Sequence, residues 1–107
     1  MARLPKYTLT YVAEVDDQLN SIESTYHRLI AASIKQQLSY TPNTKTRNRK
    51  LLEEPVSFGA TWELRFGPSN SFRVFYDVDN TQNVVTVLAI GVKEGNRLFI
   101  GGEEFEL

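Results

Sequence analysis

The 107-residue sequence contains no cysteine and a single histidine, His27. The lack of cysteine excludes a disulfide framework and a thiolate metal site. No group of His, Asp and Glu residues has the spacing of metal ligands, and the C-terminal glycines lack the strand-to-helix context of a phosphate-binding loop. We therefore expect neither a metal nor any other cofactor.

Long apolar runs are also missing, both at the N-terminus, where a secretion signal would lie, and elsewhere at the length of about 18 residues that a membrane span needs. We expect no membrane contact and a cytoplasmic location. The composition, 41% hydrophobic and 23% charged, is typical of a globular chain. At this length it predicts one domain over residues 1–107.

Acidic residues are absent between Glu23 and Glu53, although the whole chain has a net charge of −1. This stretch carries six cations, which are Arg28, Lys35, Lys45, Arg47, Arg49 and Lys50. A basic face is therefore predicted on a weakly acidic protein. We expect the segment KTRNRK, residues 45–50, to be exposed, either as an RNA or ribosome contact or as a solvated loop.

Hydrophobic spacing predicts a strand followed by two helices. Residues 7–12 alternate and favour a strand. Apolar residues then recur every three or four positions, as in an amphipathic helix, at Val15, Leu19, Ile22, Tyr26, Leu29, Ile30, Ile34 and Leu38. The patch NSIEST favours a break near residues 21–25, and Pro42 predicts that the second helix ends before it.

The remainder of the chain predicts a long connection and then an antiparallel meander. Residues 41–59 are expected to form a basic loop in which Leu51, Leu52 and Val56 reach the core. A hairpin over residues 62–80, an apolar strand over residues 83–91 and a short strand in RLFIGG follow. The order β-α-α-β-β-β predicts an α+β domain with an antiparallel sheet, two helices on one face and the other face open.

The hairpin raises a question of charge. If Trp62, Leu64 and Phe66 share a face with Phe72, Val74, Tyr76 and Val78, the tightest register pairs Phe66 with Phe72. That register places Arg65 opposite Arg73, although like charges across a pair of strands are destabilising. Two interpretations stay open, an anion site between the arginines or ion pairs with Glu63 and Asp77.

The basic stretch, WELRFG, FRVFYDVD and VVTVLAIGVKEGNRLFIGG together resemble the RelE/ParE toxin superfamily of toxin–antitoxin systems, from YTLTY to IGG. The resemblance implies a β-α-α-β-β-β domain with an open sheet face and a partly disordered antitoxin as partner, in a toxin–antitoxin hetero-oligomer. RelE-like members cleave mRNA on the ribosome without a metal, whereas ParE-like members inhibit DNA gyrase.

The resemblance also assigns roles by position. Arg73 matches the arginine at the scissile phosphate of RelE-like toxins, and Arg65 and Lys93 match further phosphate-stabilising cations. Glu63 stands where some relatives have lysine, and is either a general base or an ion-pair partner. Phe99 stands near a position where some relatives have a tyrosine, and it has no ionisable group. We expect contacts with RNA from Lys45, Arg47, Arg49, Lys50 and Arg97, and from Phe75, which either stacks on a base or packs under a loop or the antitoxin.

Two hypotheses follow from the sequence. The first is an endoribonuclease toxin that acts on mRNA bound to the ribosome through Arg65, Arg73 and Lys93. The alternative is a ParE-like gyrase inhibitor, or a weakly catalytic protein that mainly binds its antitoxin.

Overall fold

The computed structural model describes residues 4–54 and 58–106, and within them the chain forms two α-helices and seven β-strands. The helices are α1 (Glu14–Asn20) and α2 (His27–Leu38), and a turn of 3₁₀-helix, Ser24–Tyr26, lies between them. The strands are β1 (Thr8–Tyr11), β2 (Arg49–Leu51), β3 (Trp62–Phe66), β4 (Phe72–Asp79), β5 (Val84–Glu94), β6 (Arg97–Ile100) and β7 (Glu103–Phe105).

The strands form one sheet in the order β2-β3-β4-β5-β6-β7, and its neighbours along this path are antiparallel. β1 pairs in parallel with the first half of β5. The long strand β5 therefore has β4 on one side and both β1 and β6 on the other. This is the predicted α+β architecture, with a parallel edge pair and two short strands in addition.

The helices pack on one face of the sheet, as the apolar spacing predicted. Ile30, Ile34 and Leu38 recur every fourth residue along α2 and are buried against residues of β3, β4 and β5. The chain breaks between α1 and α2 within residues 21–25. Leu29, which belongs to the same apolar series, is instead exposed.

The opposite face is only partly open, which corrects the expected RNA contact of Phe75 and favours the alternative of packing within the protein. Its side chain is fully buried in a second apolar cluster with Ala60, Ala89 and Leu98. The ring of Phe58 lies 5.6 Å from Phe75 and 5.5 Å from Phe105, in edge-to-face contacts. Phe75 is thus a core residue and not a platform for a nucleotide base, because Phe58 and Phe105 of the C-terminal strand cover it.

The strand β7 was not predicted from the sequence. Gly101 and Gly102 have φ angles of 64° and 82° and join β6 to β7. A two-residue hairpin turn with positive φ at both positions favours glycine, because a Cβ atom is strained there. The double glycine thus turns the acidic C-terminal segment back along β6.

The connection after α2 is more ordered than expected, and it corrects the prediction for Arg49. Arg49 begins β2, opposite Leu64, and its side chain is buried on the helix side of the sheet. Its Nη1 donates to the backbone oxygens of Gln37, at 2.8 Å, and of Thr41. Arg49 therefore satisfies carbonyl groups at the C-terminal end of α2 and is not available to RNA.

The apolar residues of the same connection differ in their burial. Leu52 is half-buried against the second cluster, whereas Leu51 is 51% exposed, contrary to expectation. Val56 lies outside the described residues.

Candidate anion-binding groove

The β3–β4 hairpin has the predicted register. Phe66 pairs with Phe72 on the helix side, and Arg65 pairs with Arg73 on the other side. The alternation of apolar residues fixes this register, because a shift by one residue would turn the core side chains outward. The sheet therefore holds two guanidinium groups side by side.

Glu63 lies between the two arginines and compensates part of their repulsion. Its Oε1 is 2.5 Å from Nε of Arg65 and 3.4 Å from Nη1 of Arg73, and the residue is 3% exposed. Asp77, the other acid considered for this role, accepts a hydrogen bond from Oγ1 of Thr61 at 2.6 Å. One buried carboxylate thus serves two cations, which leaves a surplus of positive charge and of N–H donors.

Arg73 is the more deeply held of the two arginines. Its side chain is 10% exposed and its Nε donates to the backbone oxygen of Asn70 at 3.1 Å. Burial lowers the pKa of Arg73 below its ordinary value, and the charge of Glu63 opposes that shift. The guanidinium group keeps its positive charge, because arginine is not deprotonated in proteins.

Gly91 of β5 lies opposite Arg73. A Cβ atom at this position would lie 2.7 Å from the backbone oxygen of Phe99, so the close approach of β6 requires glycine. Two residues further along β5, on the same side of the sheet, Lys93 supplies the next cation. Arg65, Arg73 and Lys93 therefore lie on one side of three adjacent strands.

These residues belong to a groove with a volume of about 480 Å³. Five cations and three carboxylates are among the described residues that line it. The lining consists of Lys50, Leu52, Glu63, Arg65, Arg73, Lys93, Asn96, Arg97, Leu98, Glu104, Phe105 and Glu106. Cations thus outnumber carboxylates in the lining, and two of the three carboxylates lie in or directly after β7.

The structure brings together some of the predicted RNA contacts but not all. Lys50 and Arg97 line the groove, and Arg97 forms an exposed ion pair with Glu104 at 3.3 Å. Lys45 and Arg47 are exposed, as expected, but they lie before β2 and are not among the described residues that line the groove. Their contact with RNA stays a prediction.

Phe99, which stands near a tyrosine position of some relatives, points away from Arg65, Arg73 and Lys93. It pairs with Val92, whereas its neighbour Leu98 pairs with Lys93. Because successive side chains of a strand alternate between the two faces, Phe99 lies on the side of the sheet opposite Lys93. A tyrosine at position 99 would point away from Arg65, Arg73 and Lys93.

Sequence reasoning missed Asn96, Glu104, Phe105 and Glu106 as groove residues. A signal was present, since two glycines between RLFI and EEF are a hairpin turn pattern. Among the described residues, no group of three or more His, Asp or Glu residues is placed to hold a metal ion. No helix within these residues has both the length and the apolar character to cross a membrane.

No protein-family model matches the chain, and no curated protein matches it in sequence. Among solved structures, it is similar to a chain in the crystal structure of the toxin–antitoxin complex RelBE2 from Mycobacterium tuberculosis. The TM-score is 0.68 at 18% sequence identity, and the match covers 87% of this chain and 98% of the other. A likeness at this identity concerns the fold, and it confirms that the chain has a RelE-like toxin fold.

Proposed function

We propose that this protein is the toxin of a type II toxin–antitoxin system, and that it cleaves mRNA on the ribosome without a metal. The observation that carries the proposal is the row of Arg65, Arg73 and Lys93 across three strands of a RelE-like fold, organised by the buried Glu63. An antitoxin is the proposed partner, in a hetero-oligomer, because the similar structure is a toxin–antitoxin complex. The cytoplasm is the proposed location.

The cations suit the chemistry that RNA cleavage needs. The 2′-oxygen attacks the adjacent phosphorus and the bond to the 5′-oxygen breaks, which yields a 2′,3′-cyclic phosphate and a 5′-hydroxyl. The phosphoryl oxygens gain negative charge on the way, and fixed cations stabilise that charge most effectively when they need not reorganise. Arg73 is fixed by Asn70 and Glu63, and we assign it to the scissile phosphate.

Cleavage also requires the transfer of two protons. One proton leaves the 2′-hydroxyl and one reaches the 5′-oxygen, and Glu63 already accepts from two guanidinium groups through Oε1. We therefore assign Glu63 to positioning the arginines. Glu104 and Glu106, at the groove edge, are the other carboxylates in its lining, and the RNA and the ribosome supply further groups.

A second candidate function has a specific observation in its favour. Glu63 already accepts from two guanidinium groups, and Phe99 lies on the side of the sheet opposite Lys93, so a second ionisable group held beside Arg73 for proton transfer is not evident among the described residues. This arrangement suits a ParE-like gyrase inhibitor, or a protein that mainly binds its antitoxin.

One preparation of the protein, added to an in vitro translation reaction and to a gyrase assay, separates these functions. We expect new 5′ ends within ribosome-bound mRNA, mapped by primer extension, and no gyrase-dependent breaks in plasmid DNA. Intact mRNA together with such breaks would establish the second function. Intact mRNA and intact DNA would leave antitoxin binding as the role.

A further inference from the structure

A second concavity lies at the turn between β3 and β4, next to the groove. Its volume is about 210 Å³, and it is lined by Ser69, Asn70, Ser71, Arg73, Lys93 and Gly95. We call it the turn pocket. Arg73 and Lys93 line both the turn pocket and the groove, so the two concavities meet at these cations.

The charge of the turn pocket differs from that of the groove. Two cations and no carboxylate are among its described lining residues, whereas three carboxylates line the groove. Hydroxyl groups of Ser69 and Ser71 and the amide of Asn70 add hydrogen-bond donors. This combination suits the oxygens of a phosphate group, which accept hydrogen bonds and carry negative charge.

The turn between β3 and β4 is hydrogen-bonded to Arg73 of β4 and Lys93 of β5. The backbone oxygen of Asn70 accepts from Nε of Arg73 at 3.1 Å, and the oxygen of Ser71 accepts from the backbone N–H of Lys93 at 2.7 Å. Ser69 and Asn70 have φ angles of 53° and 52°, a backbone region that residues other than glycine, asparagine and aspartate rarely adopt. The pocket is therefore a fixed feature of the hairpin.

We propose that the turn pocket binds a second phosphate of the RNA strand, the neighbour of the phosphate held in the groove. The proposal rests on the proposed function, because it takes the ligand of the groove to be single-stranded RNA. Arg73 and Lys93 lie between the two phosphates and contact both. The protein thus recognises two consecutive phosphates, one in the groove and one in the turn pocket. A ligand with a single internal phosphate occupies only one of these two positions.

Uncleavable dinucleotides test this directly. We would titrate the protein, followed by amide NMR shifts, with a 2′-O-methyl dinucleotide that has only its internal phosphate. The same dinucleotide with an added 5′-phosphate or an added 3′-phosphate is titrated in parallel. We expect one of the two added phosphates to tighten binding by roughly tenfold and to shift the amide signals of residues 69–71. It should also steepen the log–log salt dependence of binding by about 0.7, the increment for one phosphate of a single strand.

Position 95 offers a matched pair of variants. Gly95 has φ of 61°, and an added Cβ atom would meet nothing within 4 Å. Asparagine and aspartate both tolerate positive φ and have the same shape, so Gly95→Asn and Gly95→Asp differ in charge alone. We expect Gly95→Asp to remove the gain from the added phosphate and Gly95→Asn to keep it.

Asn96→Asp controls for the general effect of a new negative charge, because Asn96 lines the groove and not the turn pocket. This variant should bind all dinucleotides more weakly by the same factor, and the added phosphate should still increase the affinity. Three results would overturn the proposal. They are an equal gain in affinity from a phosphate at either end of the dinucleotide, no gain from either phosphate, and a gain that persists in Gly95→Asp.

The outcome is separable from that of the proposed function, since the binding measurements need no cleavage. If ribosome-bound mRNA stays intact but the gain appears and depends on position 95, the two-phosphate site stands and the nuclease assignment falls. If mRNA is cleaved and no gain appears, the nuclease assignment stands and the turn pocket is not a phosphate site.

Discussion

At the scale of single residues, Glu63 explains how a folded sheet accepts two arginines facing each other. A buried carboxylate that accepts from both Arg65 and Arg73 offsets their repulsion, and they in turn satisfy a charge that would be costly to bury alone. The ion-pair and anion-site interpretations of the hairpin are therefore compatible. One carboxylate organises two cations, and the surplus charge is available to a phosphate.

Arg73→Ala should remove both toxicity and some stability. The sequence suggested a side chain pointing to solvent, but Arg73 is buried and bonded to Asn70 and Glu63. Removing these hydrogen bonds should lower the free energy of unfolding by about 1–3 kcal/mol. Urea unfolding measures this cost, and growth after induction without antitoxin measures toxicity.

Arg28→Ala is the control for Arg73→Ala, since it removes an exposed arginine from α2. It should leave the free energy of unfolding within about 0.5 kcal/mol and toxicity unchanged. An Arg73→Ala protein that folds and remains fully toxic would exclude Arg73 from the site.

Glu63→Gln separates positioning from proton transfer. The amide keeps the shape but leaves Arg65 and Arg73 without their shared counter-charge, so we expect lower stability and slower single-turnover cleavage of ribosome-bound mRNA. If Glu63 only positions the arginines, the rate of the variant should still fall towards low pH as in the parent protein. Loss of that acidic limb, with RNA binding kept, would make Glu63 the general base instead.

At the scale of elements, β2 is stabilised by a residue that appeared to belong to an RNA-binding loop. Arg49 donates to carbonyl groups at the end of α2, whereas its near neighbour Arg47 is exposed in the preceding turn. Arg49→Gln should lower the free energy of unfolding by about 1–3 kcal/mol, because partly buried carbonyl groups are left without their donor. Arg47→Gln should stay within about 0.5 kcal/mol. Equal urea midpoints for the two variants would contradict this role of Arg49.

The elements also show how far the sequence could be interpreted. Apolar spacing predicted the helical region and alternation predicted the pairing of Arg65 with Arg73, because these patterns extend over several residues. The break between the helices was predicted from the composition of NSIEST. The strands β2 and β7 have three residues each, too few for alternation to be distinctive. The burial of Arg49 was not predicted and that of Phe75 was left open, because each depends on residues distant in the sequence, the end of α2 for Arg49 and Phe58 for Phe75.

At the scale of the whole molecule, positive charge is concentrated although the net charge is −1. The groove combines Lys50, Arg65, Arg73, Lys93 and Arg97, and the exposed Lys45 and Arg47 precede β2, the strand that carries Lys50. A field of this kind attracts a polyanion to one side of the protein and orients its approach. Lys45 and Arg47 would then extend the groove along the path of the RNA or the ribosome.

The double substitution Lys45→Gln, Arg47→Gln tests that extension and leaves Arg49 in place to preserve the end of α2. If both cations bind phosphates, the log–log salt dependence of ribosome or RNA binding should flatten by about 0.7 for each phosphate that the variant no longer binds. The matched control is Arg28→Gln, Lys35→Gln, which removes two exposed cations from α2 and changes the net charge equally. We expect the control to keep the slope of the parent protein. Equal flattening in both double variants would mean that overall charge, and not phosphate binding by Lys45 and Arg47, determines the salt dependence. An unchanged slope in both would mean that residues 45–47 form a solvated turn without a phosphate contact.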